Sequence, residues 1–181
     1  MRRFSLTPHP DTPRGEVDRI EVDVLRIGAA DVSLTWRLVG ALASIRIPDP
    51  VGMRRADELW RTTCFEAFMR PDDQPGYVEI NLAPSEAWAA YAFEGYREGM
   101  RLAPGAPRMV QSNAGGDALE VQAVFDGLAP GATREWKIGL SAVVEHADGR
   151  ISYWALHHAP GKPDFHHRAA FALTLPVPEP A

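Results

Sequence analysis

Cysteine is almost missing from this chain: Cys64 is the only one in 181 residues. An intramolecular disulfide is therefore impossible, which excludes the cystine-stapled secreted scaffolds and favours a reducing compartment. No stretch reaches the ~20 apolar residues of a membrane span, and no apolar run of signal-peptide length follows Arg2 and Arg3. A cytoplasmic chain with no membrane partner is expected. Positive charge is not in excess: 19 Lys+Arg against 24 Asp+Glu leave a net charge of -5. With no global field to gather phosphates, nucleic acid is not an expected partner. Also lacking are a phosphate-cradling glycine loop, a serine nucleophile motif and a Cys-x-x-Cys-His haem attachment site.

What is present is turn chemistry and alternation. The 16 prolines and 15 glycines are spread along the chain and favour many short elements over a few long helices. Residues 1–181 suit one domain with a sizeable core, flanked by proline-rich extensions at Thr7 to Pro13 and Pro176 to Pro180. Between them, Ile20, Val22 and Val24 alternate with Arg19, Glu21 and Asp23, the period-two pattern of a half-buried strand. Val32 to Leu38, Leu119 to Phe125, Trp136 to Val144, Ile151 to Leu156 and Phe171 to Leu175 repeat it. Asp148-Gly149 reads as a two-residue hairpin turn, and Gly115-Gly116 as another before Leu119. Asp57 to Arg70 and Ser85 to Arg97 admit helix by spacing. Their Phe, Tyr, Trp and Cys content also suits strands, and residues 63–70 and 87–94 are read so. The expected fold is all-β, a two-sheet antiparallel β-sandwich. Val22, Leu34, Trp36, Val78, Ile80, Leu82, Val121, Ile138 and Leu140 belong in its core.

The informative region is Trp60 to Leu82. An antiparallel pair of Phe65 to Arg70 with Tyr77 to Leu82 sets Glu66 opposite Asn81 and Phe68 opposite Glu79. One face then collects Phe65, Ala67, Met69, Val78, Ile80 and Leu82, which is core. The other collects Cys64, Glu66, Phe68, Tyr77, Glu79 and Asn81, joined by Trp60 if the strand runs back that far. Carboxyls, an amide and flat rings on one face suit a polar ligand such as a sugar. A solvated sheet face with aromatic cross-strand pairs would carry the same pattern.

Leu59-Trp60-Arg61-Thr62-Thr63-Cys64-Phe65-Glu66-Ala67-Phe68, then Tyr77-Val78-Glu79-Ile80-Asn81-Leu82-Ala83-Pro84-Ser85 and Trp88-Ala89-Ala90-Tyr91, resemble the bacterial DOMON-like domains, relatives of the family-nine carbohydrate-binding modules. Ile151-Ser152-Tyr153-Trp154-Ala155-Leu156, Gly161-Lys162-Pro163-Asp164-Phe165-His166 and Phe171-Ala172-Leu173-Thr174-Leu175 fit the same pattern, so the resemblance spans nearly the whole chain. It implies a β-sandwich that binds a sugar or haem without catalysis. Trp60 and Glu66 match the tryptophan and carboxylate of the sugar-binding relatives. Phe165-His166 replaces a Trp-Asn pair, and Cys64 stands where an acidic residue often precedes the glutamate. The candidate ligand site is therefore Trp60, Glu66, Asn81, Phe165, His166, Glu79 and Tyr77, with a saccharide or sugar-containing metabolite as ligand and no cofactor.

Other classes leave definite traces to look for. Haem would need Met69 or Met109 with His157, His158, His166 or His167 as axial ligands. The adjacent histidines of each pair point to opposite faces in extended chain, so no metal is expected. Glu66 and Glu79 lie diagonally across the hairpin, the one arrangement here that suits glycoside processing. A partner enzyme could instead dock on the same aromatic face.

Overall fold

Alternating side chains build the first half of the molecule. The computed structural model describes residues 2–128 and 134–178. In it β1 (Arg2–Pro8), β2 (Val17–Arg26) and β3 (Val32–Gly40) form an antiparallel ladder that buries Ile20, Val22, Val24, Leu34, Trp36 and Leu38 on one side. Polar partners such as Glu21 and Arg37 pair on the outer side.

The second half contains β4 (Arg54–Arg55), β5 (Cys64–Pro71), β6 (Tyr77–Leu82), β7 (Ala87–Phe93) and β8 (Arg101–Leu102). After them come β9 (Ala106–Gly115), β10 (Ala118–Asp126), β11 (Trp136–Glu145), β12 (Ile151–Ala155) and β13 (Leu173–Leu175). β10 extends the first ladder beside β3, and β9 closes its edge. Unlike the strands of the first ladder, β5 is buried on both faces, as are its neighbours β6 and β11. One face meets the common core, through Phe65, Ala67, Met69, Val78, Ile80 and Leu82. The other is covered by loops and becomes the floor of the site.

All-β describes the chain, but its strands do not split into two separate antiparallel sheets. They follow one hydrogen-bonded path, β4-β7-β6-β5-β11-β12-β1-β2-β3-β10-β9, with β13 beside β11 and β8 beside β7. β1 carries the path from one half to the other. Its residues Arg2 to Leu6 pair with β2, while Thr7 and Pro8 pair with Ala155 and Trp154 of β12. The proline-rich start is thus no loose extension up to Pro8. Pro8 itself has no N–H to give, and the pairing continues past it through His9 N–H, which donates to Tyr153 O at 2.8 Å. At the other end Pro176 to Pro178 lie outside any strand, and the expectation for Glu179 and Pro180 falls outside the described residues. One pair, β4 with β7, is parallel.

Local details differ in instructive ways. Residues 63–70 and 87–94 are strands, β5 and β7, and not helices. The register of β5 with β6 sets Glu66 opposite Asn81 and Phe68 opposite Glu79. The Asp148-Gly149 turn is longer than two residues: His146 N–H donates to Arg150 O at 2.8 Å around Ala147 to Gly149, and positive φ is needed only at Gly149 (85°). β9 escapes the alternation pattern because an edge strand with Pro107, Arg108 and Asn113 buries little beyond Pro107 and Val110. Among the described residues no helix is long and apolar enough to cross a membrane.

Candidate functional site

The period of two that fills the core with one face of β5, β6, β7 and β11 fixes what the opposite face carries. On that face lie Glu66 and Phe68 of β5, Tyr77, Glu79 and Asn81 of β6, Tyr91 and Phe93 of β7, and Ser141 and Val143 of β11. Phe68, Tyr77, Ala89, Tyr91, Phe93 and Phe171 form a second apolar cluster, against which Leu59 and Phe165 pack. Gly139 lets the cover sit close. A Cβ there would lie 3.0 Å from the carbonyl oxygen of Ala170, in the short turn Arg168–Ala170.

A cleft of about 380 Å³ opens on this floor. Its floor carries Glu66 and Glu79, its walls include Trp60, Tyr91, Phe93, Tyr153 and Phe165, and Arg97, Met100, Pro163 and His166 complete the rim. Trp60 is 37% exposed and meets Tyr91 edge to face at 6.1 Å, leaving ring surface to the cleft. Phe165 meets Tyr153 at 6.0 Å.

The floor is polar yet buried: Glu66 is 3%, Glu79 5% and Asn81 0% exposed. Such groups need partners. Ser141 Oγ donates to Glu66 Oε2 at 3.1 Å, Asn81 Nδ2 donates to Glu79 Oε1 at 2.7 Å, and Cys64 Sγ lies 3.7 Å from Asn81 Oδ1. Burial, reinforced by the charge of Glu79, pushes the Glu66 carboxyl up to about 8. Burial raises Glu79 as well, against the Asn81 hydrogen bond and the nearby Arg97. At neutral pH Glu66 therefore keeps its proton, and it can donate as well as accept.

His166 has the opposite bias. Burial and the positive charge of Arg97 push it down to about 4, so the imidazole is neutral at pH 7 and its 3.8 Å approach to Glu79 is no ion pair there. The Tyr77 hydroxyl accepts from the Arg97 backbone N–H at 3.2 Å and lies 2.6 Å from His166 Nδ1. With the phenol donating to Nδ1, the proton of the neutral ring sits on Nε2, the nitrogen nearer Glu79. Asp164 ties the rim together: it accepts from Tyr96 Oη at 2.7 Å, from Arg97 Nη2 at 3.0 Å and from the His166 backbone N–H at 3.2 Å.

Of the seven residues named from sequence, Trp60, Glu66, Glu79, Phe165 and His166 line one cleft. Asn81 and Tyr77 do not. They stand one layer behind and hold Glu79 and His166. Trp60 reaches the cleft by a different route from strand parity: β5 begins only at Cys64, and Trp60 sits in a single 3-10 turn, Leu59–Arg61, entered through Glu58 at φ 60°. The alternative of a solvated face is excluded by the burial of Glu66, Phe68, Glu79 and Asn81.

Tyr91, Phe93 and Tyr153 also line the cleft and lie outside the candidate set, although the same alternation points to them. Arg97 and Met100 come from a loop with no sequence signal. The haem candidates scatter: Met69 packs in the core on the far face of β5, Met109 lies on β9, and His158 Nε2 bonds the Thr7 carbonyl at 2.9 Å. Among the described residues no group of three or more His, Cys, Asp or Glu is arranged to hold a metal ion.

No known family profile and no curated protein matches this chain. Solved structures do. A candidate carbohydrate-binding protein from Bacteroides uniformis ATCC 8492 is similar with a TM-score of 0.69 and 15% identity, over 97% of this chain and 86% of the other. A family-nine carbohydrate-binding module from Caldicellulosiruptor kristjanssonii, solved in complex with glucose, is similar with a TM-score of 0.59 and 7% identity, again over 97% and 86%. At these identities the shared property is the fold.

Proposed function

We propose that the cleft binds a small saccharide, or a sugar-containing metabolite, without transforming it. The observation that carries this reading is the pairing of ring surfaces, Trp60 and Phe165, with buried carboxyls, Glu66 and Glu79, in one cleft of about 380 Å³. Rings suit the C–H faces of a pyranose, and a carboxyl with fixed partners suits its hydroxyls. The cleft volume lies within the range of small-molecule sites. The two similar folds, one named as a candidate carbohydrate-binding protein and one holding glucose, support the same ligand class.

Paired carboxyls also invite a glycoside-processing reading. Such pairs flank the scissile bond, whereas Glu66 and Glu79 rise from neighbouring strands of one floor. Binding without turnover is therefore the better account. It is tested by screening mono- and disaccharides by thermal shift and titrating the best calorimetrically. Trp60→Ala and Glu66→Ala should each weaken binding roughly 5- to 150-fold, the loss of ~1 to 3 kcal/mol for a buried partner. Glu120→Gln, exposed on β10, should not. Unchanged affinity in both cleft variants would place the site elsewhere, and released product on prolonged incubation would make the protein an enzyme.

A further inference from the structure

A second groove of about 570 Å³ lies behind the cleft and shares His166 as its dividing wall. Its charges are unevenly matched. Asp72 and Asp73 already face cations of their own, Lys137 at 3.5 Å and Arg134 respectively. Arg70 and Arg168 form no ion pair among the described residues, although the Asp72 carboxylate acts on Arg70 from farther off. The Arg70 guanidinium is held in place, with Nη1 donating to the carbonyls of Asp72 and Gln74 at 3.3 Å each and the plane 5.3 Å from the Phe171 ring centre. That anchoring leaves Nε and Nη2 uncommitted. Arg168 projects from the short turn beside His167, whose Nδ1 accepts the Ala169 N–H at 3.1 Å, leaving Nε2 free.

We propose that this groove is an anion-binding site in which Arg70 and Arg168 together receive a phosphate or carboxylate group. Both guanidiniums line the groove, Arg70 held by its carbonyl contacts and Arg168 exposed at the rim, and the planar fork of each suits bidentate capture of such an oxyanion. Burial, and after it the nearby charge of Arg168, lowers the Arg70 guanidinium, with Asp72 opposing in part; an anion between the two cations would relieve their repulsion. Because the groove and cleft meet at His166, the proposal extends the saccharide reading: the ligand is an acidic saccharide, its ring in the cleft and its charged substituent beyond His166.

Two measurements separate this proposal from the reading it rests on. In the first, inorganic phosphate is titrated while backbone amides are followed by NMR. Saturable shifts at residues 70–77 and 166–171, weakened roughly tenfold by Arg168→Ala, are expected. Arg168 is exposed, so its replacement should leave the fold intact, and Arg168→Lys should recover only part of the affinity. Absent or non-saturable shifts, or shifts untouched by Arg168→Ala, would overturn the anion site. In the second, glucose, glucuronate and glucose 6-phosphate are compared calorimetrically. An acidic sugar should bind roughly tenfold more tightly than glucose, and Arg168→Ala should remove that difference while Trp60→Ala weakens all three. The tighter acidic sugar shows whether a carboxylate or a phosphate is the natural group. Equal affinity for acidic and neutral sugars would overturn the joint ligand and leave saccharide binding standing. Phosphate binding with no sugar binding would keep the anion site and overturn the saccharide reading.

Discussion

The hydroxyl of Tyr77 lies 2.6 Å from Nδ1 of His166, and the same oxygen accepts the Arg97 backbone N–H at 3.2 Å. One phenol thereby joins the sheet floor to both loops of the rim, and by donating to Nδ1 it would leave the ring proton on Nε2. Tyr77→Phe removes both bonds while keeping the stack on Phe93, whose ring centre is 4.7 Å away. Imidazole nitrogen NMR of the parent protein should show a neutral Nε2–H tautomer that persists down to about pH 4. The variant should lose the tautomer preference and about 1–2 kcal/mol of stability. A His166 that titrates near its ordinary value of 6.5 in the parent protein would contradict this picture.

Much of this arrangement was legible because it depends on parity. Once residues 64–71 and 77–82 are strands, a single register decides that Glu66, Phe68, Tyr77 and Glu79 share a face, and no loop geometry enters. The nearness of Trp60 to this face was legible as well, though not the 3-10 turn that brings it to the cleft. Arg97, Met100 and the covering of the floor were not legible, because they depend on where loops fall. The position of Arg97 follows from its left-handed backbone (φ 56°) and from Asp164, 67 residues away. The continuous strand path was hidden for a similar reason. It rests on two residues of β1, Thr7 and Pro8, in a stretch whose prolines read as loop.

Protonation of the floor should appear in the pH dependence of stability. Glu66 goes from an ordinary 4.5 to about 8 on folding, so between those values the folded chain holds a proton that the unfolded chain has lost, and stability falls as pH rises. His166 acts oppositely, since its lowered value costs stability only as pH falls below 6.5. Above pH 6.5 His166 is largely neutral in both states and no longer offsets the decline that Glu66 drives. Urea midpoints measured from pH 6.5 to 8.5 should fall for the parent protein and fall much less for Glu66→Gln. Equal slopes would mean that Glu66 is ionised in the fold at neutral pH.

Cys64 sits beneath this floor, fully buried, with burial and the charges of Glu66 and Glu79 all pushing its thiol well above the ordinary range. Reactivity requires an accessible thiolate, and neither condition is met. A maleimide should leave the native protein unlabelled at pH 7.5 over hours and label it stoichiometrically in urea, as read by intact mass. Rapid labelling of the folded protein would show that the floor opens far more readily than its packing implies.

Asp164 is where the rim can be loosened without touching the floor. It accepts from Tyr96, Arg97 and the His166 backbone, joining the loop after β7 to the loop before β13. The Tyr96 and Arg97 hydrogen bonds hold its carboxyl below the ordinary value of 3.8, so these bonds favour its ionised form. Asp164→Asn keeps the shape but weakens charge-assisted acceptance from Arg97, half-exposed and therefore partly screened, so the cost should be about 1–2 kcal/mol. The loss should be local. Hydrogen exchange should quicken at residues 94–98 and 161–167 while the amides of β5, β6 and β11 keep their protection, because their ladders do not pass through Asp164. Saccharide affinity should fall with it, since Arg97, Phe165 and His166 line the cleft only while the two loops stay docked. If exchange instead rises evenly over the sheet, Asp164 supports the whole fold; if it rises nowhere, the rim is held by the apolar cluster of Phe68, Tyr77, Phe93 and Phe171 alone.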